Sequence, residues 1–229
     1  MRRRAVRRAR IIKPMASTTP GARPHLVAKI GGSLHAAPQL AQWIAALKHW
    51  PHRLTIVCGG GPFADAVRAA QPKMAFSDAT AHAMALLAME QYALALASLY
   101  DLDLFATVEE AAAIHARGRV ALWRPSRMIA DALDVAPCWD ATSDSLAAWL
   151  AGKSDADALL VIKSLDIHAG ATLPAIAADG VVDAAFATYV ADTPLFIAGP
   201  QALEQAGRHL AAGDTPGQSV ITTKQKIAS

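Results

Sequence analysis

Residues 25–34 read HLVAKIGGSL, a short apolar run that passes through a lysine and stops at two glycines. A run of this kind is typical of a buried strand that ends in a turn. The pattern returns in RLTIVC (53–58), which runs into three glycines, in ALLVI (158–162), and in PLFIA (194–198), which runs into Gly-Pro. We therefore predict a set of buried parallel-type strands, each closed by a loop.

Helical patterns lie between these predicted strands. They cover residues 63–70, 78–100 and 143–151, where apolar residues recur at helical spacing. Strands that alternate with helices favour an α/β fold, here a three-layer α/β/α sandwich with a mainly parallel sheet. Ligands of such sheets bind beyond the carboxyl ends of the strands, where the glycine clusters of this chain are expected to lie.

The charge of the chain is unevenly distributed. Seven of its 22 basic residues lie within residues 1–13, so the remainder has 15 basic residues against 19 acidic ones. We predict a disordered basic tail at residues 1–24 and one domain at 25–229. The domain shows no basic bias and no recognition motif for nucleic acid, so no nucleic-acid partner is expected.

The cysteines and the longest apolar segment bear on the compartment. Cys58 and Cys138 are far apart and show no metal or disulfide spacing, which fits a reducing cytoplasm. The segment 81–100 is apolar enough to raise the question of a membrane, but His82, Glu90 and Gln91 interrupt it. We predict no membrane partner, and a buried or dimer-forming helix at 78–100 that makes the protein a homodimer or a larger homo-oligomer.

The first candidate site is Lys29-Ile30-Gly31-Gly32-Ser33. A lysine at a strand end, followed by glycines, places a cation beside main chain that a phosphate can approach closely. By itself the motif is weak, because a strand that ends in a plain Gly-Gly turn is common.

The second candidate is the loop Gly59-Gly60-Gly61, followed by Pro62 and, further along, Arg68. Three successive glycines between a strand and a helix can form an amide cradle for an anion. The spacing is neither that of the Rossmann fingerprint nor that of the Walker loop. A tight strand–helix turn remains the alternative.

Two further motifs place charge at the ends of predicted elements. Thr142-Ser143-Asp144-Ser145 begins a predicted helix, and Lys163-Ser164-Leu165-Asp166 follows a predicted strand. Helix capping would explain the first motif, and a solvated loop would explain the second.

Together, the order KIGGSL, VCGGGPFADAVR, TSDSLAAWLA and LLVIKSLDI resembles the amino acid kinase family, over residues 25–229. Within that family, the short chain and VVDAAF (181–186) look most like the archaeal-type aminomethylfuran phosphate kinases of methanofuran biosynthesis. The resemblance implies an ATP-dependent transfer of the γ-phosphoryl group to a small acid or a phosphate monoester, with Mg²⁺ as cofactor.

The resemblance also implies roles for individual residues. Lys29 would contact the transferred phosphoryl group, Asp144 would orient this lysine, and Lys163 would lie near the nucleotide phosphates. Nucleotide and phosphate binding would involve Gly31, Gly32, Ser33, Ser164 and Asp166. Acceptor binding would involve Gly59, Gly60, Gly61 and Arg68. No residue is predicted to be a metal ligand.

Two features depart from the family pattern. Ile167-His168 follows Asp166 where many relatives have glycine, and a later glycine-rich stretch with a second catalytic lysine is missing. Lys163 is one candidate to replace that lysine. A non-catalytic nucleotide-binding or storage protein on the same fold is the alternative function.

Overall fold

A computed structural model describes residues 23–135, 139–190 and 192–222. Its strands are β1 His25–Ile30, β2 Arg53–Cys58, β3 Asp103–Phe105, β4 Ala121–Trp123, β5 Ala158–Ile162, β6 Leu195–Ala198 and β7 Gln218–Ser219. Its helices are α1 Gln39–Leu47, α2 Gly61–Met74, α3 Asp78–Tyr100, α4 Val108–Ala116, α5 Ser126–Ala130, α6 Ser143–Lys153, α7 Leu173–Ala178, α8 Phe186–Tyr189 and α9 Pro200–Ala211. A 3₁₀ helix covers Gly32–Ala36.

The seven strands form one sheet in the order β3-β4-β2-β1-β5-β6-β7. All neighbouring pairs are parallel except β6 and β7. The central strands β1, β2 and β5 were predicted with the bounds observed, because an apolar run that is buried on both faces has an unambiguous signature. Their carboxyl ends meet at one edge of the sheet, next to the glycine loops.

Apolar side chains fill a core on each face of the sheet, so the predicted three-layer arrangement is confirmed. Leu26, Ala28 and Ile30 of β1 belong to the core that α1 and α9 cover, whereas Val27 faces the core formed with α6. Side chains alternate along a strand, so Lys29 lies on the same face as Val27 and is directed towards α6.

The structure adds elements that the sequence patterns did not predict. β3 has three residues and begins with Asp103, too short and polar for a strand signal. After it, the Thr107 hydroxyl caps α4 by accepting from the Glu110 amide. The predicted helix at 63–70 extends from Gly61 to Met74.

The predicted tail falls largely on residues 1–22, outside the described residues, so its disorder and the domain boundary at residue 24 stay predictions.

Helix α3 has the predicted bounds and is the longest helix of the described part of the chain. The Ser77 hydroxyl caps its start by accepting from the Thr80 amide. By length and composition, α3 alone among the helices of residues 23–135, 139–190 and 192–222 could cross a membrane. One face is nevertheless buried in the protein core, through Ala81, Ala93 and Leu96 among others. This burial is expected for the central helix of a folded domain.

His25, the first residue of β1, leads to a prediction on pH. It is buried, its Nε2 atom lies 2.9 Å from the Thr55 hydroxyl, and burial, helped by His115 and Arg53, lowers its pKa to about 3. In the unfolded chain the ring binds a proton near pH 6.5, whereas in the folded chain it stays neutral down to about pH 3. The free energy of unfolding therefore decreases as the pH is lowered below about 6.5. We expect this ring to lower the free energy of unfolding by about 2 kcal/mol from pH 7.5 to pH 5. Urea unfolding at both pH values should show a smaller change in the free energy of unfolding for His25→Gln than for the wild type. An equal change in the two proteins would contradict the prediction.

Candidate active site

The backbone joins the ends of the three central strands. The Gly31 amide donates to the carbonyl of Ile162 at 3.0 Å, and the Gly59 amide donates to that of Ile30 at 3.1 Å. These bonds continue the parallel ladders one residue beyond the strands. They bring Lys29, the glycine loop at 59–61 and Lys163 to one place.

The two glycine loops touch each other through their main chains. A methyl group on Gly59 would lie 2.8 Å from the Gly32 nitrogen, closer than real side chains approach. Gly61 has a φ of +52°, in the left-handed region that favours glycine, and it packs against the ring of Tyr92. The sequence Gly-Gly-Gly is thus required by a contact between loops as well as by a turn.

Asp144 lies between two lysines. Its Oδ1 atom is 2.6 Å from Lys29 Nζ, and its Oδ2 atom is 2.5 Å from Lys163 Nζ. The side chains of Lys29 and Asp144 are 4% and 6% exposed. One carboxylate therefore orients two cations. The triad of Lys29, Asp144 and Lys163 has one net positive charge and is largely shielded from water.

Burial and the neighbouring charges shift the pKa values of Asp144 and Lys163. Burial by itself raises the pKa of Asp144, but Lys29 and Lys163 together hold that pKa below its ordinary value. Burial, and then repulsion from Lys29, lowers the pKa of Lys163. The ion-paired carboxylate stabilises the fold above the carboxyl pKa of the unfolded chain, and this stabilisation is lost as the pH falls through the lowered pKa.

Asp183 holds the first turn of α6, which carries Asp144. Its Oδ2 atom accepts from the amide and hydroxyl of Thr142, at 3.0 Å and 2.7 Å, and from the Ser145 amide at 3.0 Å. Its Oδ1 atom accepts from the Ser145 hydroxyl. The sequence gives no local signal for this role of Asp183, which lies within VVDAAF, because its partners are about 40 residues away in the chain.

Replacement of Asp183 by alanine is expected to lower the free energy of unfolding by about 2 kcal/mol, because the amides and hydroxyls that begin α6 lose their acceptor. Turnover should fall as well, since Asp144 is on that turn. Asp179→Ala, an exposed position nearby, is the matched control and should change stability by less than about 0.5 kcal/mol. Equal urea midpoints for the two variants would argue against this role.

A cavity of about 300 Å³ opens beside the triad. Helix α3 and the segment before α6 supply its remaining walls, including His82, Leu86, Met89 and Trp139. The predicted site residues that line it are Lys29, Gly32, Ser33, Gly59, Gly60, Gly61, Arg68, Asp144 and Lys163. The structure thus brings together nine of the twelve residues proposed from the sequence.

Comparison with known proteins places this site in a family. The sequence profile of the amino acid kinase family matches residues 25–167, which is more than half of the chain and includes every residue that lines the cavity. The chain belongs to the amino acid kinase family. It is accordingly a small-molecule kinase, an enzyme that transfers a phosphoryl group. Among proteins of curated function, no significant match is found.

Solved structures agree with the family at the level of the fold. A uridylate kinase from Archaeoglobus fulgidus superposes with a TM-score of 0.64 at 17% sequence identity, over 86% of this chain and 99% of that chain. A UMP kinase from Bacillus anthracis gives a TM-score of 0.58 at 13% identity, over 87% of this chain and 96% of that chain. Identities this low establish a shared fold only.

Three predicted nucleotide-binding residues of this amino acid kinase lie outside the cavity. Ser164 is exposed, and Gly31 is buried in the sheet edge. Asp166 accepts from the Gln201 amide at 3.1 Å, at the start of α9, and lines a separate cavity of about 300 Å³ with Gly199. Gly199 has no room for a side chain, because a methyl group there would meet the Leu165 carbonyl oxygen.

The structure corrects how two glycines were expected to act. We expected Gly31 and Gly59 to bind phosphate or acceptor through free amides, but both amides already donate within the sheet edge. Their contribution is close packing of the main chain. Free donors are expected instead at the start of α2, since the first amides of a helix lack intrahelical partners. Gly60 and Gly61, at that start, line the cavity.

Arg68 reaches the cavity from α2. It pairs with Asp65 at 2.8 Å, and its guanidinium lies 5.1 Å from the centre of the Trp139 ring. Both members of the Arg68–Asp65 pair are more than half exposed, so water weakens their attraction. Arg68 can therefore exchange Asp65 for an anionic ligand at low cost.

Proposed function

We propose that this amino acid kinase uses ATP with Mg²⁺ and transfers the γ-phosphoryl group to a small acid or phosphate-monoester acceptor. The observation that carries the proposal is the pair of lysines held by one buried carboxylate, beside two glycine loops in contact. Phosphoryl transfer requires alignment and stabilisation of charge on the moving group rather than covalent help. Two fixed cations meet that requirement.

The lining residues fit a nucleotide with its magnesium ion. Gly60 and Gly61 line the cavity at the start of α2, where free amides are expected for phosphate oxygens, and Lys29 and Lys163 provide positive charge. The described residues contain no group of three or more His, Cys, Asp or Glu side chains able to hold a metal ion. We propose that Mg²⁺ is bound chiefly through phosphate oxygens, which is its usual mode in kinases.

The acceptor is proposed to lie in the cavity, between the triad and Arg68. Its anionic oxygen attacks the γ-phosphorus while the bond to the leaving ADP oxygen breaks, and Lys29 stabilises charge on the moving group. A phosphate-monoester oxygen is already ionised, so no general base is required. The apolar walls Leu86, Met89 and Trp139 favour an acceptor that also has a compact apolar part. Aminomethylfuran phosphate, with its furan ring, is our first candidate.

The test is an acceptor screen with ATP and Mg²⁺. Aminomethylfuran phosphate, UMP and small carboxylic acids are compared by ADP release and by mass spectrometry of the product. We expect acceptor-dependent ADP release with an anionic acceptor, and its loss in Lys29→Ala. ATP binding without turnover for any acceptor would support the non-catalytic alternative instead.

We also propose that α3 joins two copies of the chain. Leu87 and Leu94 lie two turns apart on one face of the helix and form an apolar stripe, in which they are 52% and 54% exposed. Such a stripe on a long helix is typical of an oligomer contact.

Leu94→Glu is expected to convert a dimer into monomers in sedimentation experiments, whereas Leu133→Glu, an exposed leucine elsewhere, should leave the dimer intact. A wild-type monomer at micromolar concentration would overturn the proposal.

A further inference from the structure

A second cavity, of about 420 Å³, lies at the opposite end of the sheet from the triad. His25 lines it at the start of β1, whereas Lys29 lies near the other end of the same strand. Polar groups converge on it from His25, Arg53, Thr55 and His115, and apolar walls come from Phe105 and Leu150. A mostly apolar hollow with a few convergent polar groups is the usual form of a small-molecule site.

Arg53 brings a positive charge to this cavity without a fixed counter-charge. Its Nε atom donates to the Arg23 carbonyl at 2.9 Å, and Arg23 lines the cavity too. Among the described residues, no carboxylate lies within ion-pairing distance of the Arg53 guanidinium. A planar guanidinium without a carboxylate partner is suited to bind a carboxylate or phosphate through two parallel hydrogen bonds.

The polar groups behind Arg53 form a connected chain. His25 Nε2 lies 2.9 Å from the Thr55 hydroxyl, which lies 3.3 Å from His115 Nε2. His115 Nε2 also lies 3.1 Å from the Leu54 carbonyl. A carbonyl only accepts, so His115 carries its proton on Nε2 when neutral. Burial lowers the pKa of both rings, so they are neutral at pH 7 and the cavity keeps the charge of its arginines.

We propose that this second cavity binds a small organic anion, a carboxylate or phosphate ester that carries a compact apolar group. The anionic end pairs with Arg53, and the apolar end packs against Phe105 and Leu150. The seven basic residues within 1–13 have the same sign as Arg53, so charge disfavours residues 1–13 of the chain as the occupant. The proposal does not depend on the proposed acceptor, because the two cavities share no lining residue.

The experiment uses histidine resonances as local reporters. Benzoate and phenyl phosphate are titrated into the full chain, and benzyl alcohol is the neutral control of the same shape. His25 and His115 report the second cavity by NMR, and His82 reports the first one. We expect saturable shifts of His25 and His115 with at least one of the two anions, and which anion binds identifies the class of ligand.

Variants test the part played by Arg53. Arg53→Gln is expected to weaken binding at least about tenfold, since a hydrogen bond to a charged group contributes that much. Arg208→Gln, an exposed arginine on α9, is the matched control and should bind as the wild type does. Arg53→Lys keeps the charge and should bind the anion with intermediate affinity. An unchanged NMR spectrum of the free variant shows that its fold is intact.

Three outcomes would overturn the proposal. The first is the absence of saturable shifts at His25 and His115 with both anions. The second is binding of equal strength in Arg53→Gln and wild type. The third is equal binding of benzyl alcohol, which would mean that the cavity has no preference for anions.

Discussion

Lys29→Ala is expected to lower kcat by about 10²–10³-fold, because the variant loses a preorganised cation aimed at the moving phosphoryl group. The amine of Lys29 is held 2.6 Å from Asp144 in a site that excludes most water, where its charge acts more strongly than in solution. If Lys29 acts mainly in the transition state, kcat should fall much more than KM changes. Steady-state ADP release at saturating acceptor measures both constants.

The controls for Lys29→Ala separate catalysis from folding. Lys73→Ala removes an exposed lysine near the end of α2 and should leave kcat unchanged within about twofold, as expected for a surface change. The Lys29 variant itself should remain folded, because Asp144 still pairs with Lys163 at 2.5 Å. A folded Lys29→Ala protein with near-wild-type kcat would contradict the assigned role.

Asp144→Asn is expected to lower the free energy of unfolding by about 3–5 kcal/mol, the usual effect of removing one partner from a buried ion pair. Asparagine keeps the shape of the side chain but removes the carboxylate that pairs with both Lys29 and Lys163. Asp65→Asn is the matched control, since Asp65 pairs with Arg68 at the surface. It should change stability by at most about 1 kcal/mol. Urea unfolding of the two variants at pH 7 gives the comparison.

The stability of Asp144→Asn should also depend on pH in a defined direction. Lys163 already has a lowered pKa in the folded protein, and loss of Asp144 lowers it further. A lysine that gives up its proton more easily when folded gains stability as the pH rises. The difference from wild type should therefore shrink between pH 7 and pH 10. A difference that stays constant over this range would mean that lost packing, not unpaired charge, causes the destabilisation.

Local patterns were sufficient wherever the signal lies within one element. The bounds of β1, β2, β5 and α3 follow from continuous apolar runs and from punctuation by glycine and serine. The family resemblance depended on four such segments in a given order. A continuous apolar run and a capping residue are local features of the sequence. Strands that are buried on both faces, and the starts of helices, can therefore be predicted from the chain order alone.

Contacts between distant segments were decided only by the folded chain. Only the family resemblance pointed to the pairing of Asp144 with Lys29, which the structure shows at 2.6 Å. The partners of Asp183, and the pairing of Asp144 with Lys163, could not be assigned in advance, because hydrogen bonds and ion pairs across 19 to 41 residues leave no mark on local spacing. The same holds for Gly59, whose lack of a side chain is required by Gly32 of another loop. It also explains the error about the Gly31 amide, since its acceptor, Ile162, belongs to a strand that joins β1 only in the assembled sheet.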